Sequence, residues 1–128
     1  MIEFEDEPGE ADQREEAVVI GVPGDERVIQ FTSGKFLIGR SKTCDLVLEY
    51  RYTSRIHARI IRTGGRFYFL EDISKNGTWV VSDSDTQVCL KAGQRVPLIG
   101  SGIIGLGAPP IANTPGTVQF RLMQIGRP

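Results

Sequence analysis

Cationic and hydroxyl side chains recur at three turns of the chain between positions 38 and 81. The turns read Gly39-Arg40-Ser41-Lys42, Tyr52-Thr53-Ser54-Arg55-Ile56-His57 and Asp72-Ile73-Ser74-Lys75-Asn76-Gly77-Thr78-Trp79. Each turn adjoins an apolar run of the kind that forms a strand. Planar and point cations beside small neutral donors are what a phosphate or a similar anion requires. The three turns therefore predict an anion site on loops, in a phosphate-recognising binding module.

The same turns hold no paired carboxylates, no cluster of metal ligands and no activated nucleophile. Ser54 and His57 come nearest to a nucleophile–base pair. Residues three apart at an extended strand start point to opposite faces, however, and no orienting acid accompanies them. We therefore expect no catalytic residues, no metal, no cofactor and no small-molecule substrate, and we predict that the protein is not an enzyme.

The segment Gly100-Ser-Gly-Ile-Ile-Gly105 matches the glycine pattern of dinucleotide-binding loops. It is followed by Leu-Gly-Ala-Pro-Pro in place of a helix, and no acidic residue comes after it. Dinucleotide binding is therefore not expected, and these glycines are predicted to lie in strand-end turns.

Charge is distributed unevenly along the 128 residues, which are enough for one domain with its own core. Residues 1–16 contain eight acidic residues and one arginine, a net charge of −7, and are predicted to be a disordered acidic tail. The domain is predicted over 17–124, with a short C-terminal tail over 125–128. The chain after position 16, with 14 basic and eight acidic residues, carries +6 and should attract an anionic partner. Nucleic acid is not the expected partner, because no exposed set of stacking aromatic rings accompanies these cations.

The two cysteines, Cys44 and Cys89, have neither the spacing of a zinc site nor that of a disulfide framework. The N-terminal residues lack the pattern of a secretory signal. No apolar run approaches the roughly 18–20 residues that a membrane span requires. These observations predict a cytoplasmic setting and no membrane partner.

Short apolar runs, separated by glycine, proline and polar turns, extend over the chain from position 17 to 122. No helical period is sustained over about ten residues, so the predicted fold is an all-β sandwich. The segment Thr32-Ser-Gly34 is predicted to be the turn of a hairpin. The segment 108–116, with three prolines, is predicted to be an inserted loop, and the sequence assigns it no role.

The ordered set Gly39-Arg40, Ser54-x-x-His57 and Ser74-Lys-Asn-Gly-Thr78 resembles the forkhead-associated (FHA) domain. The resemblance spans about residues 17–124 and includes the flanking Phe69-Leu-Glu-Asp72. It implies a β-sandwich of about eleven strands, whose loops at one end bind phosphothreonine in a partner protein or peptide. Phosphothreonine as the ligand comes from the resemblance alone.

Five residues are predicted to bind the phosphopeptide. The guanidinium of Arg40 offers a planar fork for two phosphate oxygens, and Ser54 adds a neutral hydroxyl donor. The resemblance places further phosphate contacts at Arg55 and Lys75. The amide of Asn76, with both a donor and an acceptor, suits the main chain of the peptide.

Three further residues are predicted to support the site. Gly77 suits a turn that needs a positive φ, and Gly39 leaves space for a close approach of the backbone. The resemblance gives His57 a supporting role through hydrogen bonds, without contact to phosphate. A second interpretation stays open, namely that the same sandwich binds a partner, or itself, independently of phosphorylation.

Overall fold

The computed structural model describes residues 15–31, 33–63 and 66–125. Within these ranges every helix or strand element is a strand, and there are eleven of them. In chain order they are β1 (Glu15–Val22), β2 (Asp25–Ile29), β3 (Ser33–Gly39), β4 (Leu46–Val47), β5 (Ala58–Thr63), β6 (Phe69–Asp72), β7 (Thr78–Ser82), β8 (Gln87–Leu90), β9 (Arg95–Pro97), β10 (Ser101–Leu106) and β11 (Thr117–Ile125). The predicted all-β sandwich of about eleven strands is confirmed.

The strands form two sheets. A six-stranded sheet has the order β2-β1-β11-β10-β7-β8, and a five-stranded sheet has the order β4-β3-β5-β6-β9. Neighbouring strands are antiparallel, except for the short parallel pair of β3 and β4. The longest pairing joins β1 to β11, from Glu15 opposite Ile125 to Gly21 opposite Gln119.

Alternation along the strands provides the core between the sheets. In β11, Val118 and Phe120 are buried, whereas Gln119 and Arg121 are exposed. The five-stranded sheet contributes a matching apolar face, which includes the fully buried side chains Ile38, Ile60 and Leu70. Burying one such side chain stabilises the fold by roughly 1.5–3 kcal/mol, so this core fixes the frame on which the loops are held.

The three turns identified from the sequence meet at one end of the sandwich. Strand β3 ends at Gly39, β6 ends at Asp72 and β7 begins at Thr78. Because β5 runs antiparallel to both β3 and β6, its first residue Ala58 pairs with Ile38 on one side and with Asp72 on the other. Turns that are distant in sequence are therefore neighbours in space.

Two predictions about turns were wrong, one of them only in part, because Gly100 does lie in a bend just before β10, with a φ of +69°. Gly105 lies inside β10, where a side chain would meet the carbonyl of Ala108 and the ring of Pro110, because the chain after β10 folds back over the strand. Gly102 also lies inside β10.

The expected hairpin around position 32 does not form, since β2 pairs with β1 while β3 belongs to the other sheet. Ser33 and Gly34, two of the three residues of the predicted turn, belong to β3 itself, and Thr32 lies outside the described residues.

The described strands extend slightly beyond the predicted domain limits. Glu15 and Glu16, which the sequence assigned to the acidic tail, belong to β1, and β11 ends at Ile125. Residues 1–14 and 126–128 lie outside the described ranges, so the predicted tails and limits remain predictions.

Both cysteines are free thiols, with Cys44 buried and Cys89 half-buried. In the part of the chain that the structure describes, no helix is long and apolar enough to cross a membrane.

Candidate functional site

The imidazole of His57 connects the second and third turns. The backbone N–H of Ser54 donates a 2.9 Å hydrogen bond to Nδ1, so Nδ1 is an acceptor and the ring proton lies on Nε2. Nε2 then donates a 2.9 Å hydrogen bond to the carbonyl oxygen of Gly77. His57 is fully buried, and both of its ring nitrogens are occupied by the backbone. His57 therefore acts as a crosspiece, that is, a side chain that links the second and third turns through hydrogen bonds to their backbones. It is not positioned as a base for the Ser54 hydroxyl.

The expectation of an extended strand start from Ser54 to His57 was wrong. Residues 53–57 form an irregular turn, and β5 begins only at Ala58. The turn brings the backbone of Ser54 to the imidazole, and the Ser54 hydroxyl accepts a 3.3 Å hydrogen bond from the N–H of Lys75.

The protonation of His57 follows from its surroundings. Burial lowers its pKa below the ordinary value of 6.5, against the carbonyl of Gly77 and the carboxylate of Asp72, which both raise it. The dominance of burial keeps the ring neutral near pH 7, which is the state that its two hydrogen bonds require.

A buried carboxylate closes the third turn. Oδ1 of Asp72 accepts hydrogen bonds from the hydroxyls of Ser74, at 2.5 Å, and Thr78, at 2.6 Å. The Ser74 hydroxyl in turn accepts a 2.8 Å hydrogen bond from the N–H of Gly77. The sequence analysis missed this network, although a carboxylate two residues before a serine is a known local turn signal.

The two predicted supporting glycines lie where backbone segments approach closely. Gly77 has a φ of +97°, which is unfavourable for other residues. A side chain at Gly39 would meet the carbonyl of Arg55, because the first two turns are joined through their backbones. The N–H of Arg40 donates to the carbonyl of Ser54 at 2.9 Å, and the N–H of Ser41 donates to the carbonyl of Arg55 at 3.0 Å.

The joined turns surround a hollow of about 550 Å³ at the end of the sandwich. Its lining consists of three cations, three hydroxyl side chains and two apolar residues: Arg40, Arg55, Lys75, Ser41, Thr43, Ser54, Ile56 and Ile73. No carboxylate lines the hollow. The structure thus brings together four of the five predicted contact residues.

The cations around this hollow are available to an external anion. Nε of Arg40 donates a 3.0 Å hydrogen bond to the carbonyl of Thr53, which holds the guanidinium in place, and the two terminal nitrogens form no hydrogen bond within the described part of the chain. The exposed side chains of Arg55 and Lys75 form no hydrogen bond or ion pair with any residue that the structure describes. Three cations without a countercharge produce a local positive potential.

The sequence model of the FHA domain matches residues 36–99, which contain all three turns. The chain belongs to the forkhead-associated family.

Solved FHA domains share the sandwich at low sequence identity. The first FHA domain of Mycobacterium tuberculosis Rv1747 is 18% identical, with a TM-score of 0.63, and the match covers 88% of this chain and 99% of that one. The N-terminal FHA domain of S. cerevisiae Rad53p, solved with a phosphothreonine peptide, is 18% identical, with a TM-score of 0.58 and coverage of 84% and 91%. The FHA domain of the Chlamydia trachomatis CT664 protein is 23% identical, with a TM-score of 0.58 and coverage of 83% and 95%. No curated protein sequence matches the chain significantly.

Asn76 of this FHA domain lies beside the hollow rather than in its lining. Its Nδ2 donates a 3.2 Å hydrogen bond to the carbonyl oxygen of Tyr52, which orients the amide. The side chain is exposed, and among the residues that the structure resolves in detail none donates a hydrogen bond to its Oδ1, which can act as an acceptor. The position therefore differs from that of the four cation and hydroxyl residues.

The connection between β10 and β11 contacts the second and third turns. The N–H of Gly107 donates a 3.0 Å hydrogen bond to the carbonyl of Gly77, and the carbonyl of Leu106 accepts a 3.2 Å hydrogen bond from the hydroxyl of Thr53. Gly107 has a φ of +95°, and a side chain there would meet the backbone of Tyr52. This contact joins residues that are 55 positions apart, and no local sequence signal indicates it.

No candidate metal site is found in the ranges that the structure covers. No group of three or more His, Cys, Asp or Glu side chains there could hold a metal ion. What the site presents to a ligand is positive charge, hydroxyl groups and one amide.

Proposed function

We propose that this FHA domain binds proteins that carry phosphothreonine and that it thereby mediates signalling or assembly interactions. The family consists of phosphopeptide-binding interaction modules, and one similar domain, that of Rad53p, was solved with a phosphothreonine peptide. The observation that carries the proposal is the hollow in which Arg40, Arg55 and Lys75 converge without a carboxylate.

The chemistry of the hollow suits a dianion better than a carboxylate ligand. A phosphothreonine carries about −1.5 to −2 charges at pH 7 and three acceptor oxygens. The fork of Arg40 can donate to two of these oxygens, while Ser54 can donate to a third or to the ester oxygen. We assign phosphate contacts to Arg40, Ser54, Arg55 and Lys75, and a contact with the peptide main chain to Asn76.

The supporting residues His57, Gly39 and Gly77 hold the three turns in one geometry. The crosspiece of His57 and the close approaches at Gly39 and Gly77 hold the turns at a fixed separation. A pre-formed site avoids the entropy cost of ordering loops when the ligand binds. The setting that we propose is cytoplasmic, as the sequence predicted.

A peptide library with matched threonine and phosphothreonine members tests the proposal directly. Binding is expected for phosphothreonine peptides alone, measured by fluorescence anisotropy or calorimetry. Equal binding of the unphosphorylated members would overturn the proposal and favour the second interpretation, an interaction that is independent of phosphorylation. A phosphoserine series shows whether the methyl group of threonine contributes.

A further inference from the structure

Thr43 is the most accessible hydroxyl residue of the hollow. It lies on the turn between β3 and β4 and is exposed, whereas the other two hydroxyl residues of the lining, Ser41 and Ser54, are half-buried. Its Oγ1 lies 2.8 Å from Oγ of Ser41, and its backbone N–H donates to the same Oγ at 3.2 Å. These contacts restrain the Thr43 hydroxyl next to Ser41, and Thr43 and Arg40 line the same hollow.

We propose that Thr43 is a phosphorylation site, and that a phosphate on it occupies the hollow of its own domain and excludes phosphopeptides. The inference rests on the proposed function for its consequence, because it names a regulation of the same site. The predicted position of the phosphate, in contrast, depends only on the geometry of the hollow and not on the proposed function.

The modification is an ordinary phosphoryl transfer from a nucleoside triphosphate, catalysed by a separate protein kinase. Oγ1 of Thr43 forms the new bond to the γ-phosphorus, and the bond from that phosphorus to the bridging oxygen of the β-phosphate breaks. The hydroxyl proton passes to a base of the kinase, and the nucleoside diphosphate leaves. The product carries a dianion on the turn.

The surroundings of Thr43 favour that dianion. Arg40, Arg55 and Lys75 line the same hollow, and Lys42 precedes Thr43 in the turn. A group tethered next to its site has an effective concentration on the order of millimolar, which exceeds that of most partners in solution. A tethered phosphate would also repel the phosphate of an incoming peptide over distances within the Debye length of about 10 Å.

Thr86 provides a matched comparison. It is exposed like Thr43, but it follows the end of β7, whereas the site lies at the start of β7. Its neighbours Asp83 and Asp85 are acidic, so a phosphate on Thr86 would meet none of the cations of the hollow.

The experiment uses two forms of the full chain, with phosphothreonine incorporated during translation at position 43 or at position 86. The phosphate at 43 is expected to have a lower second pKa than the phosphate at 86 in a ³¹P NMR titration, since nearby cations favour the dianion. The substitution Arg40→Ala should abolish most of this difference. Equal pKa values at the two positions would overturn the placement of the phosphate in the hollow.

The consequence for binding is measured with the same two proteins and a phosphothreonine peptide that the unmodified chain binds. Phosphate at 43 should weaken binding at least about tenfold, while phosphate at 86 should leave it unchanged. Unchanged affinity with phosphate at 43 would overturn the inference. If the unmodified chain binds no phosphothreonine peptide, the proposed function fails, and the ³¹P titration still decides where the phosphate lies.

The acceptor role is tested by incubating the full chain with Mg·ATP and a panel of serine/threonine kinases, followed by mass spectrometric mapping. Phosphate is expected on Thr43 and not on the buried Thr53, Thr78 and Thr117. A panel that modifies Thr86 and leaves Thr43 unmodified throughout would overturn the assignment of Thr43 as an acceptor.

Discussion

Nε2 of His57 donates a 2.9 Å hydrogen bond to the carbonyl oxygen of Gly77, a residue 20 positions further along the chain. The same carbonyl accepts a 3.0 Å hydrogen bond from the N–H of Gly107. One backbone oxygen thus receives donors from two separate loops. Because Nδ1 of His57 must remain an acceptor for Ser54, this junction exists only while the imidazole is neutral.

The first prediction is that the folded protein loses stability at acidic pH because His57 becomes protonated. Its pKa is below 6.5 in the folded protein, so the unfolded chain binds the proton more readily. The stabilisation by neutral His57 is therefore complete above about pH 6.5 and is lost as the pH falls through the lower, folded-state pKa. Melting temperatures between about pH 7.5 and 5 should decline in the wild type.

The variant His57→Gln is the control for this titration. It should be less stable than the wild type near pH 7, by roughly 1–3 kcal/mol, because buried backbone partners lose their hydrogen bonds. It should also show a smaller decline with pH over the same interval. A wild-type melting temperature that stays level, or a variant with an identical pH profile, contradicts the neutral crosspiece.

The sequence predicted the parts of this domain that depend on local pattern. Strand alternation predicted the sandwich, and the cations and hydroxyls at the three turns predicted an anion site on loops. The contacts of Arg55 and Lys75 at this site were predicted from the resemblance to the FHA domain. The contact of Gly107 with Tyr52 escaped prediction, because it depends on how two distant connections meet at the end of the sandwich.

The errors have the same physical origin. The stretch from Ser54 to His57 has the composition of a strand start, but the buried imidazole stabilises a turn by accepting the Ser54 N–H. Gly105 has the composition of a strand-end turn, yet it lies within β10 because the following chain packs over it. In both cases tertiary contacts outweigh local preference.

The second prediction concerns Arg40, whose side chain lines the hollow. Arg40→Ala should weaken phosphothreonine-peptide binding by about ten- to a hundredfold, since it removes a charge-assisted pair. Arg121→Ala removes an exposed arginine from β11, outside the lining of the hollow, and should change the affinity little. Arg121→Ala should melt like the wild type, whereas Arg40→Ala should remain folded and melt slightly lower, because it loses the hydrogen bond from Nε to the carbonyl of Thr53. Equal affinities of Arg40→Ala and wild type in calorimetry would refute the assignment of Arg40.

Ionic strength gives the third prediction. Arg55 and Lys75 are exposed, so their attraction for a phosphate is screened by salt. Affinity for a phosphothreonine peptide should decrease steadily between about 0.05 and 0.5 M salt, and less steeply for Lys75→Ala, which has one cation fewer. An affinity that is independent of salt would contradict an interface dominated by phosphate contacts.

The fourth prediction isolates the contact between Gly107 and Tyr52. Gly107→Ala should lower both stability and peptide affinity, because the added methyl group displaces the backbone of Tyr52 and with it the partner of Asn76. Gly24→Ala is the matched control, since Gly24 has a similar φ of +86° but open space around its side-chain position.

Gly24→Ala should cost only the strain of a left-handed residue, roughly 1–2 kcal/mol, without loss of affinity. The comparison is made by chemical denaturation and by peptide titration at a temperature where both variants are folded. If the two variants lose the same stability and both bind peptide normally, the β10–β11 connection does not position the site.

The last prediction concerns the acidic residues that precede β1. Residues 1–14 carry six acidic side chains and one arginine, a net charge of −5, and could in principle compete with a phosphopeptide for the hollow. Strand β1 begins at Glu15, opposite Ile125 at the end of β11, whereas the site lies near Thr117 at the beginning of β11. The nine residues of β11 separate the two ends by about 27 Å, which exceeds the Debye length of about 10 Å at 0.1 M salt.

A segment of 14 residues can extend up to about 50 Å, so contact with the hollow is geometrically allowed but requires the segment to run back along the whole domain. Carboxylates are also weaker ligands for Arg40 than a dianionic phosphate. Deletion of residues 1–14, which leaves β1 intact, should therefore change phosphopeptide affinity less than about twofold at both low and high salt. A severalfold gain of affinity at low salt, lost at high salt, would show instead that the acidic segment reaches the hollow and occupies it.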